Sequence, residues 1–396
     1  MDFTFLDYDF DQTTNLASFR YKGKDDQIFT ETIEFTSSAI EYDQKVLDDA
    51  LFFAFIVIGT SYYKAAPTTS VNLDANLTKK QKTFFDQIYQ EGLSQFAFEN
   101  NLTRENLAHF INSEKENPTP KTTNNTDKTL ILLSGGKDSL LSAEIIRSEG
   151  KPYEIAYISS QQNYPEIIDS FKTPLIIKRH LDKENLEKVS GLNGHVPVTL
   201  INEAIAIIEA ILTGCSRIEL GIGKEGLEPH AFIGDLPVNH QWSKTYDAQT
   251  QLKDYLRTYI ANNIEIGSVL ENYTELEIAK LFAEKCWNKY GQQFSSCNIA
   301  NYKLDANNRE LKWCGHCAKC ANSYLLFAPF VEFEKQKALF GRDLFSDPEM
   351  ARIFKGLLGI DGVMKPFECI ASIEELRWAY QDKLPGYGNL PFEIPN

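Results

Sequence analysis

Between Thr129 and Ser139 the chain reads Thr-Leu-Ile-Leu-Leu-Ser-Gly-Gly-Lys-Asp-Ser, an aliphatic run that breaks into two glycines and a Lys-Asp-Ser cluster. The run has the length and polar flanks of a buried parallel strand. Gly135 and Gly136 carry no Cβ, so the backbone there can turn tightly and bring its N–H groups against an anion. From Leu140 the apolar spacing becomes helical through Leu141, Ile145 and Ile146. The loop would therefore sit at a helix N-terminus, where partial positive charge and unpaired N–H donors favour phosphate. The plainer alternative is an ordinary glycine-rich turn between strand and helix.

A second set has metal-ligating spacing. Cys297 is followed by Cys314-Gly-His-Cys317-Ala-Lys-Cys320, and four thiolates so arranged can close a tetrahedron on zinc. An iron–sulfur cluster would use the same ligands, and four free thiols are the bland reading. Four protein ligands leave no open position for water, so the expected role is structural. Cys215, Cys286 and Cys369 read as small buried side chains.

Three further stretches offer polar groups at places where a core is hard to build. Val238-Asn239-His240-Gln241-Trp242-Ser-Lys244 presents amide, imidazole, indole and ammonium groups in a row, which reads as a substrate loop. His195 lies in Gly191-Leu-Asn-Gly-His-Val-Pro-Val-Thr199, with Thr199 or Asn202 available to cap the helix that follows. A lone histidine is commonly a structural hydrogen-bonder, yet one in a glycine- and proline-flanked loop is a catalytic candidate. Tyr62, Tyr63 and Lys64 follow an apolar run and could contact a sugar or phosphate; packing and snorkelling is the plainer account. Gly221-Ile-Gly-Lys-Glu-Gly226 fits a dinucleotide fingerprint only formally, since Glu-Pro-His follows instead of a helix. It reads as a turn at the mouth of the same cleft, with Lys224 and Glu225 the groups to test.

The elements that must position these groups follow from pattern. Residues 1 to about 45 alternate as a β-hairpin, Leu51 to Ile58 reads as a core helix starting near Asp48, and 81–111 reads as helical with a packed aromatic face. Glu114 to Asp127 reads as a linker. Beyond it strands at Tyr153–Ser159, Pro174–Lys178 and Arg217–Gly221 alternate with helices, the last of these Asn202–Leu212. That is a doubly wound α/β pattern, whose ligands gather beyond the strands' C-terminal ends. The expected division is 1–125 as an N-terminal α+β domain, 126–330 as the nucleotide domain with the cysteine site, and 331–396 as a C-terminal helical cap.

A length of 396 residues accommodates two or three such units. A formal net charge of -15 opposes a protein that grips nucleic acid by its phosphates. The start Met-Asp-Phe-Thr-Phe resembles no signal peptide, and the apolar run 51–58 is too short to span a bilayer. The expected setting is a reducing, cytoplasmic one with no membrane partner.

Ser134 to Ser139 resembles the SGGxDS signature of the PP-loop ATP pyrophosphatases, which split ATP into AMP and pyrophosphate to adenylate a substrate. The resemblance implies that Ser134, Gly135, Gly136 and Ser139 hold phosphate, that Lys137 meets phosphate charge, and that Asp138 assists magnesium. It places Ser159 and Ser160 beside the adenosine. Relatives that make the nitrile base of queuosine carry a similar cysteine group, which favours zinc at Cys297, Cys314, Cys317 and Cys320. Taken together, Tyr62–Pro67, Gly194–Thr199, Val238–Lys244 and Trp313–Cys320 are similar, in the same order, to stretches of the ATP-dependent UDP-N-acetylmuramoyl-L-alanyl-L-glutamate epimerases of peptidoglycan synthesis. That family implies a PP-loop-type sheet, ATP with Mg2+, structural Zn2+ and a glutamyl-adenylate intermediate. His195, His240 and Lys244 are then the candidates for proton transfer, and Tyr62, Tyr63, Lys64, Asn239, Gln241 and Trp242 for substrate contact. The alternative is a PP-loop ligase or nitrile synthase adenylating a small heterocyclic carboxylate, as in 7-deazaguanine synthesis.

Overall fold

The computed structural model of the chain describes residues 2–36, 40–161, 163–189, 191–226, 228–301, 304 and 308–394. One sheet organises them. Its strands are β1 (Phe3–Asp11), β2 (Leu16–Lys22), β3 (Ile28–Glu34), β4 (Val71–Asn72), β5 (Thr126–Leu132), β6 (Tyr153–Ser159), β7 (Leu175–His180), β8 (Cys215–Glu219) and β9 (Glu265–Gly267). They lie in the order β9-β8-β5-β6-β7-β3-β2-β1-β4. β9 to β7 are mutually parallel, and β3, β2 and β1 continue the sheet antiparallel. Read by chain position, the parallel part runs third-second-first-fourth-fifth, so its strand order reverses between β5 and β8. That crevice is the place where an open α/β sheet binds ligands.

Helices cover both faces. On one lie α1 (Gln44–Tyr63), the apolar side of α2 (Lys79–Gln90), and, beyond α3 (Lys137–Ser148), α4 (Val198–Thr213) and α5 (Tyr246–Tyr255). On the other, α3 packs with α6 (Glu275–Lys285), α7 (Ala318–Phe327), α8 (Phe333–Phe340), α9 (Ala351–Leu358) and α10 (Ile373–Gln381). Because strand side chains alternate, β5 sends Leu130 to the first core and Ile131 to the second, and β6 sends Ala156 and Ile155 likewise. Helix starts follow their caps: Asp43 accepts from the backbone N–H of Lys45 and Val46, and capping boxes begin α2, α6 and α10.

Several expectations shift. The apolar run 51–58 is the middle of a 20-residue helix that starts at Gln44, not near Asp48, because Asp43 supplies the cap. By length and composition that helix could cross a membrane, but it is buried inside the molecule. α4 starts at Val198, so Thr199 and Asn202 lie within it and do not cap it. β9 has only three residues and no readable alternation. Segment 116–125 has no regular structure, yet Asn263 pins it through Thr123 and Asn125.

The sheet and its first core run without a break across residue 125. The junction is β3 against β7, where Glu31 is fully buried beneath Arg179. The guanidinium holds both carboxylate oxygens, at 2.5 and 3.3 Å, and also reaches the Ser61 hydroxyl; the Tyr62 hydroxyl donates to Glu31 at 2.8 Å. Glu31→Ala should lower stability by about 3–5 kcal/mol, because it strands a buried guanidinium. A melting temperature within a few degrees of wild type would refute that.

Candidate active site at the sheet's switch point

β5 ends at Leu132, and the chain turns through Ser134, Gly135 and Gly136 into α3, with Gly136 as its N-cap. Gly135 takes φ +88°, where a side chain would be strained; a Cβ there would also meet Leu311 at 2.6 Å. The Ser134 backbone N–H donates to the Ser139 hydroxyl oxygen at 3.2 Å, and that hydroxyl donates to the Gly136 carbonyl, which braces the loop across its mouth. At the end of β8, Gly221 lets the strand touch the first turn of α3: a Cβ would stand 2.7 Å from the Ser139 nitrogen. The loop opens on a cavity of about 700 Å³ between β5, β6 and β8, a size suited to a nucleotide.

Of the expected nucleotide residues, Ser134, Gly136, Asp138 and Ser139 border this cavity. Lys137 does not. Its side chain is buried against Glu275, at 2.6 Å, and Asp138. Burial works against that ammonium, but the two carboxylates outweigh it and hold its pKa above the usual lysine value. The expectation that Lys137 meets phosphate charge gives way to a lysine that anchors Asp138. Ser159 is also turned inward, its hydroxyl donating to the carbonyls of Gln161 and Asn163. Ser160 and Gln161 border the cavity in its place.

The substrate-loop stretch divides in the same way. Lys244 borders the cavity and pairs at 2.6 Å with the buried Glu225. Asn239 donates to the Gly226 carbonyl, Gln241 to that of Ile370, and the Trp242 indole N–H to Glu91 at 2.9 Å. Tyr62 and Tyr63 close α1 inside the core, their hydroxyls on Glu31 and the Thr68 carbonyl, while Lys64 donates to the Gly194 carbonyl. None of these six expected substrate residues lines the cavity. Each instead satisfies a polar group that folding buries.

The histidines gather beside this stretch. His195 and His240 rings lie 4.3 Å apart and His230 is 6.4 Å from His240; the Gln95 side-chain oxygen accepts from His240 Nδ1 over 2.6 Å. Burial is the main cause that holds His195 down to about 3 and His230 and His240 to about 4. All three are neutral at pH 7. Unfolded histidines take protons from about pH 6.5 downward while these do not, so the folded state loses stability as pH falls from 6.5 towards 4. Each histidine contributes up to about 1.4 kcal/mol per pH unit in that window. Titrating unfolding of His240→Asn should therefore give a shallower acid limb than wild type; an unchanged slope would contradict the neutral assignment.

The four cysteines converge. Their sulfurs all lie within 4.8 Å of one another, with 3.7 Å between Cys297 and Cys317, 3.7 Å between Cys314 and Cys320 and 3.5 Å between Cys317 and Cys320. Thiolates at about 2.3 Å from a central zinc would sit roughly 3.8 Å apart, so this donor set fits a tetrahedral metal. The site also roofs the cavity. Cys297 borders it, Ser295 N–H donates to the Gly135 carbonyl at 3.3 Å, and a Cβ on Gly136 would stand 2.8 Å from the Ser296 hydroxyl.

Sequence reasoning passed over Ser296, Asn298 and Asn301 in that roof, and Asn202 and Glu203 on α4, all of which border the cavity. A signal existed for Glu203: it is one of two acidic residues, with Glu209, on the buried side of a mainly apolar helix, and of the two only Glu203 borders the cavity.

The MurL N-terminal domain model matches residues 1–269 and the MurL C-terminal domain model matches 293–383. The chain belongs to the MurL family. A relative from Salinispora tropica, named UDP-N-acetyl-alpha-D-muramoyl-L-alanyl-L-glutamate epimerase, is 32% identical over 94% of this chain and 82% of its own length. Equally named proteins from Micromonospora and Xanthomonas oryzae are 32% and 29% identical, over 94% and 84% of this chain and 84% and 74% of their own lengths. The MurL N-terminal segment supplies the sheet, the Ser134–Ser139 loop and Lys244; the MurL C-terminal segment supplies the cysteines and the roof. None of these relatives favours the heterocycle-adenylating alternative.

Proposed function

We propose that this chain is an ATP-dependent epimerase of PP-loop type that converts the terminal L-glutamate of UDP-N-acetylmuramoyl-L-alanyl-L-glutamate to D-glutamate in the cytoplasm. The name shared by its relatives supports the substrate. The observation that carries ATP use is the braced loop of Ser134, Gly136 and Ser139 at a helix N-terminus, opening on a cavity of nucleotide size at the switch point.

On this reading the glutamate carboxylate attacks the α-phosphorus of ATP, and the leaving pyrophosphate is received by the N–H groups of the loop. Asp138, anchored by Lys137, is the carboxylate available for magnesium, which when bound offsets phosphate charge. The four cysteines hold zinc structurally. A carboxylate resists loss of its α-proton because the product concentrates negative charge. Joined to AMP, the acyl group no longer carries that charge. A base then removes the proton from one face, an acid returns one to the other, and hydrolysis frees AMP and the D-glutamyl product. His195, His240 and Lys244 are the candidates for these transfers; of the three, Lys244 borders the cavity, whereas the two histidines do not. Lys64, Asn239, Gln241 and Trp242 shape the substrate surface indirectly, by holding the loops that carry these groups.

Incubation with ATP, Mg2+ and the substrate in deuterated water tests the reading. AMP release together with deuterium at the glutamate α-carbon and D configuration is the expected result. AMP without exchange would move the substrate elsewhere, and D-glutamate formed without ATP would remove the adenylation step. Wild-type epimerisation in both His195→Ala and His240→Ala would remove the histidines.

A further inference from the structure

Glu203 is an acidic residue in the middle of α4, fully buried, with Ile201, Ala204, Ile205 and Ala206 around it in the chain also buried. Its Oε1 accepts from Gln249 Nε2 at 2.7 Å, and that same amide donates to the Ser243 carbonyl at 2.7 Å, which fixes the donor. Oε2 is buried and has no hydrogen-bond partner among the described residues. Nor does any cation among them form an ion pair with it: Lys244, which also borders the cavity, is committed to Glu225. Burial pushes the Glu203 carboxyl up to about 8, against the smaller opposing effects of Gln249 and Lys244. Such a group is kept protonated at neutral pH, oriented by one oxygen, and free at the other.

Its place gives that arrangement a use. Glu203 borders the same cavity as Ser134, Asp138 and Ser139, one turn along α4 from Thr199. A buried carboxyl with an unpaired oxygen costs stability; α4 carries two among the described residues, Glu203 and Glu209, and of these Glu203 is the one that borders the cavity.

We propose that Glu203 is the catalytic acid that delivers a proton to the α-carbon of the activated glutamate, an inference that rests on the adenylation reading above. In this step the Glu203 O–H bond breaks and a C–H bond forms at the α-carbon. The electron pair of the enolate becomes that C–H bond as the acyl carbonyl is restored, and Glu203 is left as a carboxylate. It regains its proton from solvent, so deuterated water labels the product. No oxidation or reduction occurs.

Glu203→Gln preserves size and the oxygen that accepts from Gln249, and removes the proton. In deuterated water with ATP, Mg2+ and the L-glutamyl substrate, this variant should still release AMP within about threefold of wild type. The D-glutamyl product should fall by about 10²-fold or more, the usual contribution of a general acid, while the base on the other face can still return a deuteron to the L-glutamyl substrate. Glu203→Asp should recover part of the D-glutamyl product. The proposal is overturned if Glu203→Gln forms D-glutamyl product at the wild-type rate. It is equally overturned if the folded variant loses AMP release and D-glutamyl product by the same factor, since that marks a positioning role. Wild-type enzyme that forms D-glutamyl product without releasing AMP would instead sink the adenylation reading, and this proposal with it.

Discussion

If the four cysteines hold zinc as proposed, Cys317→Ser should lose it and reduce epimerase activity to under about one hundredth of wild type, because a structural zinc contributes about 10–16 kcal/mol to the fold around it. That is as large as the whole stability of an ordinary domain, about 5–15 kcal/mol. The damage would spread along a short path. Cys317 caps α7, and Cys297 sits in the segment that lies on Gly135 and Gly136. Without a tetrahedral anchor, that segment loses its hold on the phosphate loop, and the cavity loses its roof. Elemental analysis should find about one zinc per wild-type chain, with no visible chromophore of iron–sulfur type, and almost none in the variant. Hydrogen exchange should rise across residues 294–320 while β1 to β3 stay protected. A variant that keeps full activity with no metal would refute the structural role.

Lys244→Met should produce the second large effect, in two separable parts. Glu225 is buried and Lys244 half-buried, and the two are joined at 2.6 Å. Removing the cation strands a buried carboxylate, which costs about 3–5 kcal/mol unless the group takes up a proton. The burial that already raises the Glu225 pKa makes that protonation the easier escape, so the variant should be markedly less stable at pH 8 than at pH 6. The double variant Lys244→Met, Glu225→Gln removes both charges and should regain most of the stability. Activity should not return with it: if Lys244 serves the reaction from the cavity wall, both variants should fall by about 10³-fold, within the range for a lost proton-transfer or charge-stabilising group. Activity restored in the double variant would mean that Lys244 only neutralises Glu225. Thermal unfolding at the two pH values, beside AMP release, separates these outcomes.

Local chemistry made part of this molecule legible before any fold was known. The aliphatic strand breaking into Ser134–Ser139, the β6 strand at Tyr153–Ser159 and the cysteine spacing each depend on neighbours in the chain, through glycine freedom, side-chain alternation and ligand geometry. The family likeness was legible for the same reason, since it rests on short runs. What a polar group does once buried was not legible, because that depends on what the fold brings against it from far along the chain. Lys137 reads as a phosphate ligand beside two glycines; Glu275, from 138 residues away, turns it into an anchor. Tyr62 reads as a ring past the end of a helix, until Glu31 and Arg179 close around its hydroxyl. Glu203 is the converse case: one of two acidic side chains, with Glu209, on a mainly apolar helix, and the one that the fold and Gln249 set at the edge of a cavity. The sequence by itself determined the glycine loop Ser134–Ser139, the four-cysteine cluster that could hold a metal and the parallel strands around the loop. Only the tertiary structure decided that β1 to β3 complete the same sheet, and which charges are spent on one another and which are left for chemistry. Burial multiplies the energy of each polar contact, and burial belongs to the fold, not to any one residue.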